Sequence, residues 1–284
     1  LIDKKEEPFY SEYDAAERSG LFSFLARNIR DLFTYRYATY NFVNSNLRAR
    51  YRRSAMGFFW SLLNPLFTML ILSVVFSTIF KNSLANFSIY IFSGLLPWGM
   101  ILNSMMNGAM ALVWAEKYLK KIYIPRLIFP IVVVSVEVVN FLLSLISMFF
   151  LALFFGAKIS WALVTLPIAL LMTALFLLGL VLVVSMINVY FRDLSHIVQV
   201  VFAGLFYLTP IVYPLEFLSK DSLLYTVVRL NPFFYFVELF HAIIYRAEFP
   251  TAMAWLICFA LTLLSLFIGL AIFSSKEKDV IYRL

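Results

Sequence analysis

Residues 161–190 read WALVTLPIALLMTALFLLGLVLVVSMINVY. The whole run passes without one Asp, Glu, Lys, Arg or His. As a helix it would extend about 45 Å at 1.5 Å per residue, more than the roughly 30 Å of bilayer hydrocarbon. A run of this length and purity reads as a membrane-spanning helix. Five more stretches read the same way: 57–80, 89–113, 127–155, 197–213 and 252–274. The run at 127–155, like that at 161–190, is long enough to tilt, and 197–213 is the shortest.

Composition agrees with this reading over the whole chain. Of 284 residues, 63% are hydrophobic and 14% charged, with mean hydropathy +0.88. Soluble domains run about 45–50% apolar and about 25% charged. A soluble enzyme, a disordered chain and a disulfide scaffold are therefore excluded. The expected fold is an all-α polytopic membrane protein with six transmembrane helices. It divides into an N-terminal tail (1–56), a membrane domain (57–274) and a C-terminal tail (275–284). The first 20 residues are polar, so no cleavable signal peptide is expected there.

The net charge of +7 is a matter of topology rather than of nucleic acid. Ten Lys and Arg precede Gly57, four lie in 112–126, Arg192 lies between the fourth and fifth spans, and three follow Ser274. Only Lys81, Lys158, Lys220, Arg229 and Arg246 fall on the opposite side. The positive-inside rule places both termini in the cytoplasm.

Three segments do not span. In 21–47, Phe22, Leu25, Ile29, Leu32 and Phe33 recur at helical spacing with Arg27, Arg30 and Asp31 between them. This pattern predicts an amphipathic helix in the cytoplasmic interface, the alternative being a surface helix packed on protein. Segment 112–124 is a short basic helix with a Glu116/Lys120 i,i+4 pair, closed by Pro125. The outer segment 216–250 holds two short apolar pieces, 222–230 and 233–245, split by Asn231-Pro232. Such pieces are expected to be re-entrant or interfacial helices.

Few residues offer chemistry. Cys258 reads as a buried small hydrophobe, and one cysteine closes no intramolecular disulfide. No His-Glu-x-x-His or Cys-x-x-Cys pair suggests a metal, and no phosphate-binding Gly-x4-Gly-Lys loop suggests ATP on this chain. Neither His196 nor His241 has a nucleophile and an acid at readable spacing, so no catalytic residue is assigned. Glu137 lies inside the third span with Asn140 three residues on, and must face protein or water. No second acidic or histidine residue lies in the other spans, which disfavours a proton relay. Asn103 and Asn107 share one face of the second span, as packing groups or as a sugar-binding row. Asn64-Pro65 marks a kink in the first span. Aromatics make up 18% of the chain, and many are Phe toward the outer side. They either pack the core and face lipid, or wall a conduit along which a polymer slides.

Several motifs, in order along the chain, resemble the permease of an ABC-2-type exporter of lipid-linked polysaccharides. They are Arg48-Ala49-Arg50-Tyr51-Arg52-Arg53-Ser54-Ala55-Met56-Gly57-Phe58-Phe59-Trp60 with Asn64-Pro65, and Ser93-Gly94-Leu95-Leu96-Pro97-Trp98. Lys120-Lys121-Ile122-Tyr123-Ile124-Pro125-Arg126 and Asn188-Val189-Tyr190-Phe191-Arg192-Asp193-Leu194 follow. Thr209-Pro210-Ile211-Val212-Tyr213 and Asn231-Pro232 complete the set. The resemblance covers 22–284. Met56-Gly57 stands where Leu-Gly is more usual.

This resemblance implies a homodimer in the bacterial inner membrane, joined by two ATP-binding subunits that hold the ATP and Mg. This chain would bind no cofactor and perform no covalent chemistry. Glu116, Lys117, Lys120 and Lys121 in 112–124, with Arg192 and Asp193 in 191–197, would couple to the ATPase. Segment 216–245 would form outer gate helices. The helix at 21–47 would frame a lateral portal for an undecaprenyl carrier, with Arg48, Arg50, Arg52 and Arg53 attracting its pyrophosphate. Trp98, Tyr207, Tyr213, Phe233, Phe234, Tyr235 and Phe236 would line the conduit and its outer gate. O-antigen is the expected cargo, with teichoic acid or capsular polysaccharide in the same class. The rivals are a drug or small-lipid exporter of the same fold and a secondary transporter or channel.

Overall fold

The computed structural model describes residues 28, 30–50, 56–80, 84–154, 160–277 and 280–283. All regular structure among them is helical. The helices are α1 (Arg36–Arg50), α2 (Trp60–Phe80), α3 (Leu84–Ala109), α4 (Ala111–Leu119) and α5 (Ile128–Phe154). They continue with α6 (Leu166–Tyr190), α7 (Leu194–Tyr207), α8 (Leu223–Leu230) and α9 (Pro232–Phe240). The last two are α10 (Ala252–Lys276) and α11 (Val280–Arg283). Among the described residues, four segments are long and apolar enough to cross a membrane: Phe87–Ala109, Ile128–Phe150, Trp161–Tyr190 and Ala252–Lys276. The bent pair Leu223–Leu230 and Pro232–Arg246 makes a fifth if it counts as one span.

The expected fifth span, 197–213, has other helix bounds. Helix α7 starts earlier, at Leu194, and stops at Tyr207, so it is about 21 Å long. Thr209-Pro210 ends it, because the residue before proline is pushed out of the α region. The expected short helix 112–124 is also trimmed. It ends at Leu119: the Lys120 N–H bonds back to the Glu116 carbonyl, and the Lys121 and Ile122 N–H groups bond to that of Tyr118. At the outer end, Asn231 turns the chain by 81° between α8 and α9. Its side chain accepts the Phe233 N–H and Pro232 occupies the first helical turn, the preferred chemistry for starting a helix. Helix α9 then widens into a π-helical segment, His241–Arg246, closed by Ala247 at φ 57°.

The closest helix crossing joins α6 and α10. A Cβ on Gly179 would overlap the backbone of Ser265, and one on Gly269 would overlap the Gly179 carbonyl. The hydroxyls of Thr262 and Ser265 reach the carbonyl oxygens of Met172 (3.3 Å) and Phe176 (3.1 Å) across the crossing. Lipid tails give no hydrophobic drive for helix pairing, so close backbones and interhelical hydrogen bonds supply it. At the opposite edge, α1 lays Phe42, Val43 and Leu47 against the core formed by α4, α5 and α6. Tyr37 and Tyr40 stay exposed on it, as does Phe33 just before it. Helix α1 is thus packed on protein along one face and presents aromatic rings on another. The residues of this helix before Asn28, including Phe22, Leu25 and Arg27, lie outside the described residues, as does Ile29.

Candidate functional site

Polar groups gather at three depths. At the basic end, α4 buries Ala111, Leu112, Ala115 and Leu119 on one helical stripe and turns its charges outward. Lys120 Nζ donates to Glu116 Oε1 at 2.7 Å. That hydrogen bond and the ammonium charge hold the Glu116 carboxyl below the usual carboxylate range, and Arg192 adds to the effect. Arg192 belongs to the tight 191–193 turn between α6 and α7, so the two coupling elements expected from the sequence share one surface. Lys117, Lys120, Lys121, Arg192 and Asp193 are exposed there. Behind them lies a groove of about 600 Å³ between α1, α4 and α5, floored by Phe42, Phe129 and Val132. Arg126 is buried beside Glu277 at 3.8 Å, and Arg283 lies 4.4 Å over the Tyr190 ring, so the C-terminal end folds back onto the same side. Arg48 is exposed on the last turn of α1. Arg52, Arg53 and the Arg50 side chain lie outside the described residues.

Within the apolar spans, α3 and α5 meet at Glu137, which is 1% exposed. Asn107 Nδ2 donates to its Oε1 at 3.1 Å, and Asn140 Nδ2 to its Oε2 at 3.0 Å. The structure therefore joins Glu137 and Asn107, singled out separately in the sequence, into one cluster. Asn103, one turn away on α3, is exposed and lines a cavity beside it.

At the outer end, the short motifs of the sequence converge into one knot. His241 stacks on Tyr90 with ring centroids 4.4 Å apart and 6° between planes. Its Nε2 lies 3.0 Å from the Pro210 carbonyl oxygen, which can only accept, so Nε2 carries the hydrogen. Its Nδ1 lies 2.7 Å from Ser93 Oγ and accepts from it when the ring is neutral. The Tyr90 hydroxyl donates to the Tyr213 carbonyl at 2.7 Å. Asn231 Nδ2 donates to Thr209 Oγ1 at 2.8 Å. A Cβ on Gly94 would meet the imidazole at 2.9 Å and Ile211 Cα at 3.3 Å, so glycine lets the hairpin approach α3. Thr209-Pro210 thus lies between Ser93-Gly94, reached through His241 and Ile211, and Asn231.

The aromatic residues divide. Trp98 is buried against Phe202, Phe206 and Phe233, with centroids 6.0 to 6.3 Å away. Phe236 stacks on Phe176 at 4.2 Å, and Phe234 is buried beside Tyr235. These rings fasten the outer hairpin to α3, α6 and α7 inside the protomer. Tyr207 is 70% exposed, and Tyr213 and Tyr235 are half-buried. Sequence reasoning missed the role of His241. The signal was Ser-Gly inside an apolar span, which marks a place where another element comes close.

The sequence profile of the ABC-2 type transporter family matches residues 37–245, from α1 through the outer hairpin. The chain is 33% identical over 255 residues to the O-antigen export system permease protein RfbA of Myxococcus xanthus. That alignment covers 90% of this chain and 98% of the relative. It is 27% identical over 239 residues to a protein of the same name from Klebsiella pneumoniae, covering 82% of this chain and 90% of the relative.

Proposed function

We propose, on the premise that this chain belongs to the ABC-2 type transporter family, that it is the permease subunit of an O-antigen exporter. The observation that carries the cargo assignment is the nearly end-to-end match with the Myxococcus xanthus permease. Two copies form the translocation unit, and two ATP-binding subunits, which hold ATP and Mg, dock on its cytoplasmic face. Both termini lie on that side of the bacterial inner membrane. Helices α2, α3, α5, α6 and α10 cross, and α7 with its irregular continuation through Tyr213 completes six crossings. The cargo is a polysaccharide on an undecaprenyl pyrophosphate carrier.

The roles along this path follow from that reading. Arg48, Arg50, Arg52 and Arg53 follow one another closely in sequence where α1 ends, and an anionic headgroup arriving from the inner leaflet meets this basic run first. Glu116, Lys117, Lys120, Lys121, Arg192 and Asp193 receive the motion of the ATPase. The outer hairpin α8–α9 gates the exit, with Tyr207, Tyr213 and Tyr235 on its accessible side. Glu137 and its amide partners stand between portal and gate.

The test is reconstitution of the permease with its ATP-binding subunit in lipid vesicles. Lipid-linked O-antigen is expected to stimulate ATP hydrolysis and to become accessible on the far face. Stimulation by small hydrophobic drugs with no response to the lipid-linked glycan would assign the chain to drug export. Transport that persists without the ATP-binding subunit would assign it to secondary transport.

A further inference from the structure

Helices α2, α3 and α5 enclose a cavity of about 210 Å³, room for one sugar ring with its hydroxyls. Its polar wall consists of Asn64 and Thr68 on α2, Asn103 on α3, and Glu137, Asn140 and Ser144 on α5. Phe141, with Leu96 and Met100, supplies an apolar wall. Two features mark it as more than a packing defect. The amide nitrogen of Asn140 donates to Glu137, while its Oδ1, sealed from solvent, has no hydrogen-bond partner among the described residues. A buried acceptor left open costs about 1–3 kcal/mol, so a donor belongs there. Moreover, Asn64, Thr68 and Asn103 are exposed on the protomer, and Asn103 lies within a membrane-crossing helix. Amides facing hydrocarbon are unfavourable, so this face of α2 and α3 meets protein or a polar path.

The donor set selects among the parts of a lipid-linked glycan. A phosphate would bring a second anion against the Glu137 carboxylate. An acyl chain would leave the amides unsatisfied. A sugar ring meets both walls: its hydroxyls donate to the carboxylate, reach Asn140 Oδ1 once that side chain turns toward the cavity, and exchange hydrogen bonds with Asn103, while its C–H face lies on Phe141. We infer that this cavity is an intramembrane glycan site in which Glu137, Asn140 and Asn103 hold the hydroxyls of one sugar ring of the passing chain. The inference rests on the polysaccharide-export reading and adds the place where the sugar itself is recognised.

The experiment uses the full complex with its ATP-binding subunit in nanodiscs. ATP hydrolysis is titrated with lipid-linked O-antigen and, separately, with undecaprenyl pyrophosphate that carries no sugar. In Glu137→Gln and Asn140→Leu the half-saturating concentration of the glycan should rise about tenfold relative to that of the sugar-free carrier, the cost of one strong hydrogen bond. Asn103→Ala lies on the protomer surface and should show about threefold by the same measure, even if the buried variants fail to assemble. Equal shifts for both probes, or none, would overturn the inference by returning the cluster to helix packing. So would a wild-type response that depends on sodium rather than on the sugar, which makes the cavity a cation site. A wild-type complex that ignores lipid-linked glycan altogether sinks the export reading instead, a result distinct from unaffected variants.

Discussion

The outer knot and the Glu137 cavity are both polar clusters within an apolar bundle, and they are built in opposite ways. In the knot every named side chain has its partner: Ser93 with His241, His241 with Pro210, Tyr90 with Tyr213, Asn231 with Thr209. No space remains, since even one methyl on Gly94 would strike the imidazole. The cavity keeps a void, an exposed amide and an acceptor with nothing to accept. A satisfied polar network in a membrane protein fastens helices, while one with room and an open acceptor is poised for a ligand. Both are legible as "polar residues in spans", and only their completeness separates them.

Substitutions can break that contrast. The largest effect is expected for Gly94→Val, which drives two methyl groups into His241 and Ile211. Overpacking of this kind costs about 1–3 kcal/mol, and the thermal unfolding midpoint in detergent should fall with export lost. An unchanged midpoint would mean that the hairpin is not fastened here. His241→Ala comes next, at about 1–3 kcal/mol, because Ser93 and the Pro210 carbonyl lose a buried partner and Tyr90 loses its stacked ring. Asn103→Ala should change stability by less than about 1 kcal/mol, since that side chain is exposed and its loss spares the Glu137 cluster, while weakening the response to glycan. If it unfolds the protein as much as His241→Ala does, the cavity is a fastening too.

The smallest effect is a pH response at the surface proposed to couple to the ATPase. The Glu116 carboxyl is depressed from its usual value near 4.5 by Lys120 first and Arg192 after it. A depressed acid contributes fully above that usual value and loses its contribution as pH falls through the lowered one. ATPase coupling in wild type and in Lys120→Met should therefore run parallel from pH 6 to 8. A divergence in that window would mean that a different group, not Glu116, titrates against Lys120.

Much of the fold follows from residues read in order. The span 161–190 announces itself through length and lack of charge, and Asn231-Pro232 announces the outer turn. Basic residues crowd one side, and α4 and the 191–193 turn duly meet there. What the order of residues hid was depth and partnership. The run 197–213 is apolar throughout, so hydropathy alone carries a helix past Tyr207, yet Thr209-Pro210 bends the chain toward Asn231. Gly179 and Gly269 are merely small residues in apolar runs until the crossing of α6 and α10 brings their backbones together. The aromatic residues illustrate the same point: Phe233 and Phe236 match Tyr207 in composition, but the hairpin turns the first two inward and leaves the third outside.

By itself, then, the sequence determined that this chain is helical, crosses a membrane repeatedly and carries its charge to one side. Those properties depend on the transfer cost of each residue, which is local and additive along the chain. Only the tertiary structure decided that His241 closes a knot with Ser93 and Pro210, and that Glu137 gathers Asn107 and Asn140 beside an open cavity. Hydrogen bonds depend on direction and distance between residues far apart in the chain. No tally of hydropathy contains either quantity.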